Sequence, residues 1–281
     1  MIRAGAIAHE IDGYGSSFSD AALLATSPDV TTEHYGHDQR EKNSRITREY
    51  LEPLCERTGS RVVLDVGCGV GKSVMTLLED GYDAYGVDLA ALTRHWAADG
   101  CPPDRFFVVP PVELVLPFED GSVDLAFSFG VLEHLGTSDG GATRRADYHR
   151  IRRQWLREVF RVVKPGGYML MGGPNRNFPF DLSHDLDAAS SGSERWLSSV
   201  VGASVHRTWG EYFLWGYPDF DRYLGGLQYQ MTPLSIRGLL QFGRVPAALR
   251  PAVRLYVEHL PRPLLGTGFN PWVMALVRRL A

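Results

Sequence analysis

The sequence predicts an α/β fold built on a doubly wound, mostly parallel sheet, and two stretches carry that prediction. The first is Val62-Val63-Leu64-Asp65-Val66-Gly67-Cys68-Gly69-Val70-Gly71-Lys72-Ser73. Its apolar, β-branched start reads as a buried strand. Three alternate glycines follow, then Ser73-Val74-Met75-Thr76-Leu77-Leu78, which reads as a helix. Strand, glycine turn and helix together open a nucleotide-binding α/β unit. The second stretch, Tyr82 to Leu89, reads as a strand ending in an acid. Asp88 follows the glycines at about the 20-residue spacing at which a carboxylate meets a ribose diol; the plainer reading is a helix N-cap.

Three cofactor classes use such a turn. A dinucleotide turn wants G-x-G-x-x-G, and Gly67 and Gly69 fit, but Lys72 stands at the third position. A phosphate-cradling loop wants G-x-x-x-x-G-K-[ST]; Gly71-Lys72-Ser73 fits its end, but Val66 stands where the first glycine belongs. Asp65 decides the matter. A carboxylate repels pyrophosphate and suits an ammonium group, which S-adenosylmethionine carries beside its sulfonium.

The run Asp65-x-Gly67-x-Gly69-x-Gly71 resembles the first motif of the class I S-adenosylmethionine-dependent methyltransferases. Three later stretches resemble small-molecule members of that family, of the methyltransferase domain 11 type. They are Leu116 to Ser128, Phe129-Gly130-Val131-Leu132-Glu133-His134-Leu135, and Leu156 to Gly167. The resemblance covers residues 60 to 174, with its motifs in order. It implies a Rossmann-like, seven-stranded sheet with an antiparallel last strand, and S-adenosylmethionine as cofactor. By the same resemblance Asp65, Gly67, Gly69, Gly71, Asp88, Leu89 and Phe129 hold the cofactor. The family's adenine-binding acid falls near Val112 by count, which leaves Glu113 as the acid at hand.

Taken in order, residues 1–58 read as an N-terminal arm and helical cap. The arm alternates glycine, serine and small apolar residues and is expected to be ordered only by packing. A helical pattern around Arg45 to Leu54 follows, with Pro53 placing a kink or break inside it. The resemblance sets His34, Tyr35 and His37 over the cofactor; the alternative is an ordinary packed helix entrance. Residues 59–174 form the cofactor-binding core, with further strands at Arg105–Val109, near Val123–Ser128 and at Tyr168–Met171. Arg144, Arg145, Arg150, Arg152, Arg153, Arg157 and Arg161 lie along the helix before the last of these, and read as a solvated basic face rather than a nucleic-acid grip.

Residues 175–232 read as a substrate lid, dense in aromatics. Rigid aromatic surface at a cleft mouth binds apolar or planar ligands, and Trp196, Tyr212, Trp215 and Asn175 are taken as acceptor contacts. A lid packed on its own small core is the plainer reading. His184 with Asp181, Asp185 and Asp187 has the donors for a divalent metal, but acid clusters in loops are usually solvated and no metal is expected. Residues 233–281 complete the core sheet. Ser235–Gly243 resembles the helix before the sixth strand, and Phe269–Arg279 the final antiparallel strand.

The 281 residues are 44% hydrophobic, enough for a large core, and the net charge of −4 speaks weakly against a nucleic-acid partner. Cys55, Cys68 and Cys101 are scattered, without C-x-x-C spacing, so no disulfide framework or structural zinc is expected. The N-terminus lacks a secretory pattern and no run reaches the length of a membrane span, which favours the cytoplasm. The expected activity is methyl transfer to a small molecule, an O-methylation in secondary or sugar/lipid metabolism, with a histidine taking the proton. His134 is the first candidate, then His184, then His37. A C- or N-methyltransferase on a natural-product scaffold is the alternative enzyme, and a non-catalytic S-adenosylmethionine-binding regulator the alternative class. The irregular, proline-bearing segment after residue 243 reads as a helical insertion, or as a surface for a homodimer partner or for lipid.

Overall fold

The computed structural model describes residues 1–3, 9–16, 43–110, 114–138, 143–182, 184–239, 245 and 247–281. His34, Tyr35, His37 and Glu113 therefore lie outside the described residues.

Strands β1 (His9–Ile11) and β2 (Tyr14–Ser16) form a hairpin across Asp12-Gly13. Both turn residues have positive φ, 53° and 86°, the geometry whose twist matches paired strands and which Asp-Gly favours. A helix described from residue 43 widens over Thr47–Leu51 and continues as α1 (Glu52–Thr58), with Pro53 just after the widened turn. The core follows as β3 (Val62–Val66), α2 (Lys72–Glu79), β4 (Asp83–Asp88), α3 (Thr93–Ala98), β5 (Phe106–Val108), β6 (Val123–Phe129), α4 (Tyr148–Val162) and β7 (Val163–Pro174). The lid contributes β8 (Phe180–Asp181), α5 (Gly192–Val201), β9 (Ser204–Val205) and α6 (Pro218–Leu224). The chain closes with β10 (Tyr229–Pro233), α7 (Arg250–Glu258) and β11 (Trp272–Arg279).

Among the described residues the main sheet runs β1-β2-β5-β4-β3-β6-β7-β11-β10. Its centre is parallel, β11 lies antiparallel to β7, and β10 antiparallel to β11. The expected seven strands and antiparallel strand are there, and β1 and β2 extend the sheet: β2 joins β5 in parallel, Gly15 beside Phe107. Residues 9–16 of the arm are thus an edge hairpin, fixed by the Tyr14 hydroxyl on the Cys101 carbonyl (3.2 Å) and by Tyr14 edge-on to Trp96. The sixth strand precedes Ser235 rather than following it, because Tyr229–Pro233 pairs with Ala275–Arg279.

Alternation along the strands sorts the core into two layers, since successive side chains point to opposite faces. Leu64, Val66, Val87, Ala126, Met169 and Met171 face α4 and α6; Val63, Ala84, Phe106, Val108, Leu125 and Leu170 face α1, α2 and α3. Strand order turns back at β3, with β4 on one side and β6 on the other. That switch point opens a crevice at the carboxyl ends of the strands, where open α/β sheets bind ligands.

The expected solvated basic face holds in part: Arg150, Arg153 and Arg157 of α4 are exposed, whereas Arg152 and Arg161 reach inward. Arg152 is 1% exposed. Its guanidinium donates to the carbonyls of Leu135 (3.0 Å), Glu133 (2.9 Å) and Phe213 (2.5 Å). Arg157 donates to the carbonyls of Tyr223 and Gly225, and Arg161 to Glu158, Asp120 and two carbonyls. Arg144, which precedes the helix, pairs with buried Asp187 at 2.7 Å. A sequence count of charges does not separate such staples from solvated side chains, because both are arginine at helical spacing. Arg152→Met keeps the apolar stem but leaves three carbonyls without a donor, at about 1–3 kcal/mol each. We expect urea unfolding to show a loss of at least about 3 kcal/mol; a loss under about 1 kcal/mol would mean that water replaces the guanidinium.

Candidate functional site

The bend after β3 is made by Gly67, Gly69 and Gly71, with φ of 92°, 55° and 82°, a region that side chains disfavour. Space adds a second constraint. A Cβ on Gly67 would run into Val131, and one on Gly71 would lie 2.5 Å from the Phe106 ring. The amides of Gly67 and Cys68 donate to the Val87 carbonyl, which ties the bend to β4.

Two acids stand at this bend. Asp65 is 4% exposed, and among the described residues its carboxylate accepts no hydrogen bond. Burial, reinforced by the charge of Asp88, pushes its pKa well above the usual carboxylate range. A buried acid in that state is stabilised by a cation or a donor arriving from outside. Asp88, at the end of β4, accepts from the Gly69 amide (2.6 Å) and the Leu89 amide (2.7 Å). Burial raises its pKa, and these two amides restrain the rise. Each oxygen keeps a further lone pair for a ligand hydroxyl.

The second wall of the crevice is the turn after β6. Gly130 donates to the Gly172 carbonyl and has φ of 70°. Val131 packs on Gly67, so this turn and the glycine bend touch. Glu133 is fully buried; one carboxylate oxygen accepts from the Trp215 indole at 3.2 Å, and the other, Oε1, has no partner among the described residues. His134 is exposed, and its backbone amide is held by the Val131 carbonyl. The lid returns His184 to the same place: the two imidazole centroids are 5.1 Å apart, and His184 Nδ1 lies 2.8 Å from Asp181. The structure thus gathers Asp65, the glycines, Asp88 and Leu89 at one wall and Glu133, His134 and His184 at the other.

The comparisons with known proteins agree with this geometry. A family described as methyltransferase domain matches residues 64–171. A "Probable S-adenosylmethionine-dependent methyltransferase" of Mycolicibacterium smegmatis is 28% identical over 218 residues, 74% of this chain and 77% of its own length. Residues 64–171 thus match a methyltransferase domain, and the chain is similar to S-adenosylmethionine-dependent methyltransferases over about three quarters of its length. The 2-methyl-6-phytyl-1,4-hydroquinone methyltransferase of a Synechocystis strain is 31% identical over 117 residues, 41% of this chain. The chain spans about a third of that relative, 32% of its length. A crystal structure of an S-adenosylmethionine-dependent methyltransferase from Aquifex aeolicus aligns over 89% of this chain and all of its own, at 13% identity and a TM-score of 0.44.

The residues of the methyltransferase fit its cofactor. The orphaned Asp65 carboxylate suits the α-ammonium, and the glycine bend leaves room where a Cβ would intrude. Bound there, S-adenosylmethionine supplies an electrophilic methyl group on a positively charged sulfur. Phe129 ends β6 beside Phe127, 5.7 Å away, and closes on Gly172.

The lid residues fall elsewhere than expected. Tyr212 and Trp215 are buried, because Tyr212 belongs to the lid's own core with Phe213 and Leu214 and its hydroxyl accepts from the Asp187 amide. Trp215 lies beneath Glu133 rather than at a cleft mouth. The Asn175 amide donates to the carbonyls of Thr267 and Asn270, so it fastens a turn. Trp196 stands 66% exposed on α5. The acid cluster also separates: Asp187 pairs with Arg144, Asp185 is exposed, and Asp181 alone reaches His184. Glu133 and Arg152 are the site groups that the sequence reading missed. Glu133 sits inside the quoted motif, but only the lid's return shows that its side chain is buried beside both histidines. A separate cleft of about 910 Å³ opens within the lid, between α5, residues 177–179 and Phe269.

Replacing Asp88 by Ala removes the acceptor for the ribose diol and the brace of the Gly69 amide. We expect affinity for S-adenosylhomocysteine to fall at least about tenfold by calorimetry, as for the loss of charge-assisted bonds; unchanged affinity would place the ribose elsewhere.

Proposed function

We propose that this methyltransferase transfers its methyl group to a hydroxyl of a small molecule. The observation that carries the reading is the pair His134 and His184, 5.1 Å apart, with His184 braced by Asp181. The pair meets the glycine bend through Val131. A hydroxyl acceptor loses its proton as it attacks, and the pair supplies the place where that proton leaves. Histidine suits this task because its ordinary pKa is near neutrality. An acceptor that is already enolic, or a neutral amine, asks for less, which is why the imidazole pair favours oxygen.

On this reading Asp65 holds the cofactor's ammonium, Asp88 its ribose, and Leu89 and Phe129 flank the same crevice. Orientation of the two partners is the protein's main contribution, worth roughly 7–11 kcal/mol when complete. The lid, residues 175–232, bounds the acceptor. Among the described residues no helix is long and apolar enough to cross a membrane. We place the activity in cytoplasmic secondary or sugar/lipid metabolism.

The test is turnover of methyl-labelled cofactor with a panel of hydroxylated, enolic and amine acceptors. We expect label on oxygen. His134→Ala should depress kcat by about 10²–10⁴-fold with cofactor affinity retained. Label on carbon or nitrogen alone would overturn the hydroxyl reading. Tight cofactor binding without turnover on any acceptor would make the chain a binding protein.

A further inference from the structure

The same corner carries a chemistry that two histidines alone do not explain. Glu133, His134 and His184 each present a donor atom, and the three atoms lie within 4.8 Å of one another. A divalent ion with bonds of about 2.0–2.1 Å sets neighbouring donors some 3–3.5 Å apart, so small side-chain rotations close the set. We propose that Glu133, His134 and His184 bind a divalent cation of the zinc class.

Three features point to a built site. Glu133 is fully buried, yet among the described residues Oε1 has no partner, while Oε2 is held by Trp215. A buried carboxylate oxygen left unpartnered costs stability unless something binds it. His184 offers Nε2 because its Nδ1 faces Asp181 at 2.8 Å, the carboxylate brace that fixes tautomer and orientation in metal-bound histidines. The third feature is rigidity. Arg152 ties the Glu133 carbonyl to that of Phe213, so the turn and the irregular segment around Phe213 are one unit.

The donor set also selects the ion. Two imidazoles and one carboxylate suit zinc and its neighbours; magnesium and calcium prefer oxygen throughout. Three protein ligands leave coordination positions open, and exposed His134 puts them on the accessible side. Resting on the hydroxyl reading above, the exchangeable ligand is the acceptor's hydroxyl oxygen. Coordination lowers the pKa of a bound O–H, so the proton passes to water and the metal-held oxygen is the nucleophile. His134 then ligates instead of abstracting a proton.

Calorimetry of the chelator-stripped full chain with Zn²⁺, and visible absorption with Co²⁺, test the site without turnover. We expect one ion per chain and Co²⁺ bands of low-symmetry nitrogen–oxygen ligation. His134→Ala and Glu133→Gln should each weaken Zn²⁺ by at least about tenfold, and Asp181→Asn by about 10–100-fold. His259→Ala, on the far α7 end, should leave it unchanged. His134 is exposed and Glu133→Gln is isosteric, so a fold that survives by circular dichroism makes the result readable. Absence of a stoichiometric ion, or equal affinity in His134→Ala and Glu133→Gln, overturns the site. Methyl transfer to a hydroxyl that persists in chelator, with no ion bound, overturns the metal-held nucleophile but spares the hydroxyl reading. An ion bound by this triad in a chain that methylates only amines keeps the site and removes that reading.

Discussion

A buried cation holds the two halves of the site in register. Arg152 reaches from the middle of α4 to the carbonyls of Glu133 and Leu135 on the turn after β6, and to Phe213 in the lid. Burial lowers its pKa, which measures the cost of placing the charge there. Three carbonyls offset that cost, and each of them belongs to a segment with no regular hydrogen-bond ladder of its own. Remove the cation and the turn bearing Glu133 and His134 is no longer fixed to the lid that brings His184. Methyl transfer rewards this rigidity, since its barrier falls mainly with alignment of the reacting atoms.

The rest of the architecture supplies the other wall. Gly67 is forced by a positive φ and by Val131 at once. The same contact that excludes a side chain seats the turn against the bend. Asp65 and Asp88 come from neighbouring parallel strands, β3 and β4, so their spacing is set by the sheet and not by a loop. The crevice is therefore a property of strand order.

Much of this was legible in the sequence, and the boundary of legibility has physical causes. The strands of the core, the glycine bend and the two acids are local patterns: apolar runs, φ-specific residues, fixed offsets. The hairpin reads only as a loose arm in the sequence: Asp12-Gly13 between Ile11 and Tyr14 carries a local turn signal that this reading passes over, and its attachment to β5 is a non-local pairing that no window around Gly13 reveals. The α4 arginines show the opposite limit. Their helical spacing was plain, yet their partners lie on the carbonyls of distant segments, and carbonyls have no sequence signature. For the same reason Asn175 and Tyr212, polar or aromatic residues in a loop-rich lid, read as ligand contacts when they serve backbone groups. The meeting of His134 with His184 depends on a lid that leaves β7 and returns.

The central claim is that the glycine bend with its unpartnered acid was shaped for an amino-acid-bearing nucleoside and aims it at His134. A crystal structure of the chain with S-adenosylhomocysteine tests this most directly. The account predicts the amino group against Asp65, the ribose diol on Asp88 and the sulfur facing the His134–His184 corner. Phosphoryl oxygens of a dinucleotide seated on the bend, with S-adenosylhomocysteine excluded, would contradict it.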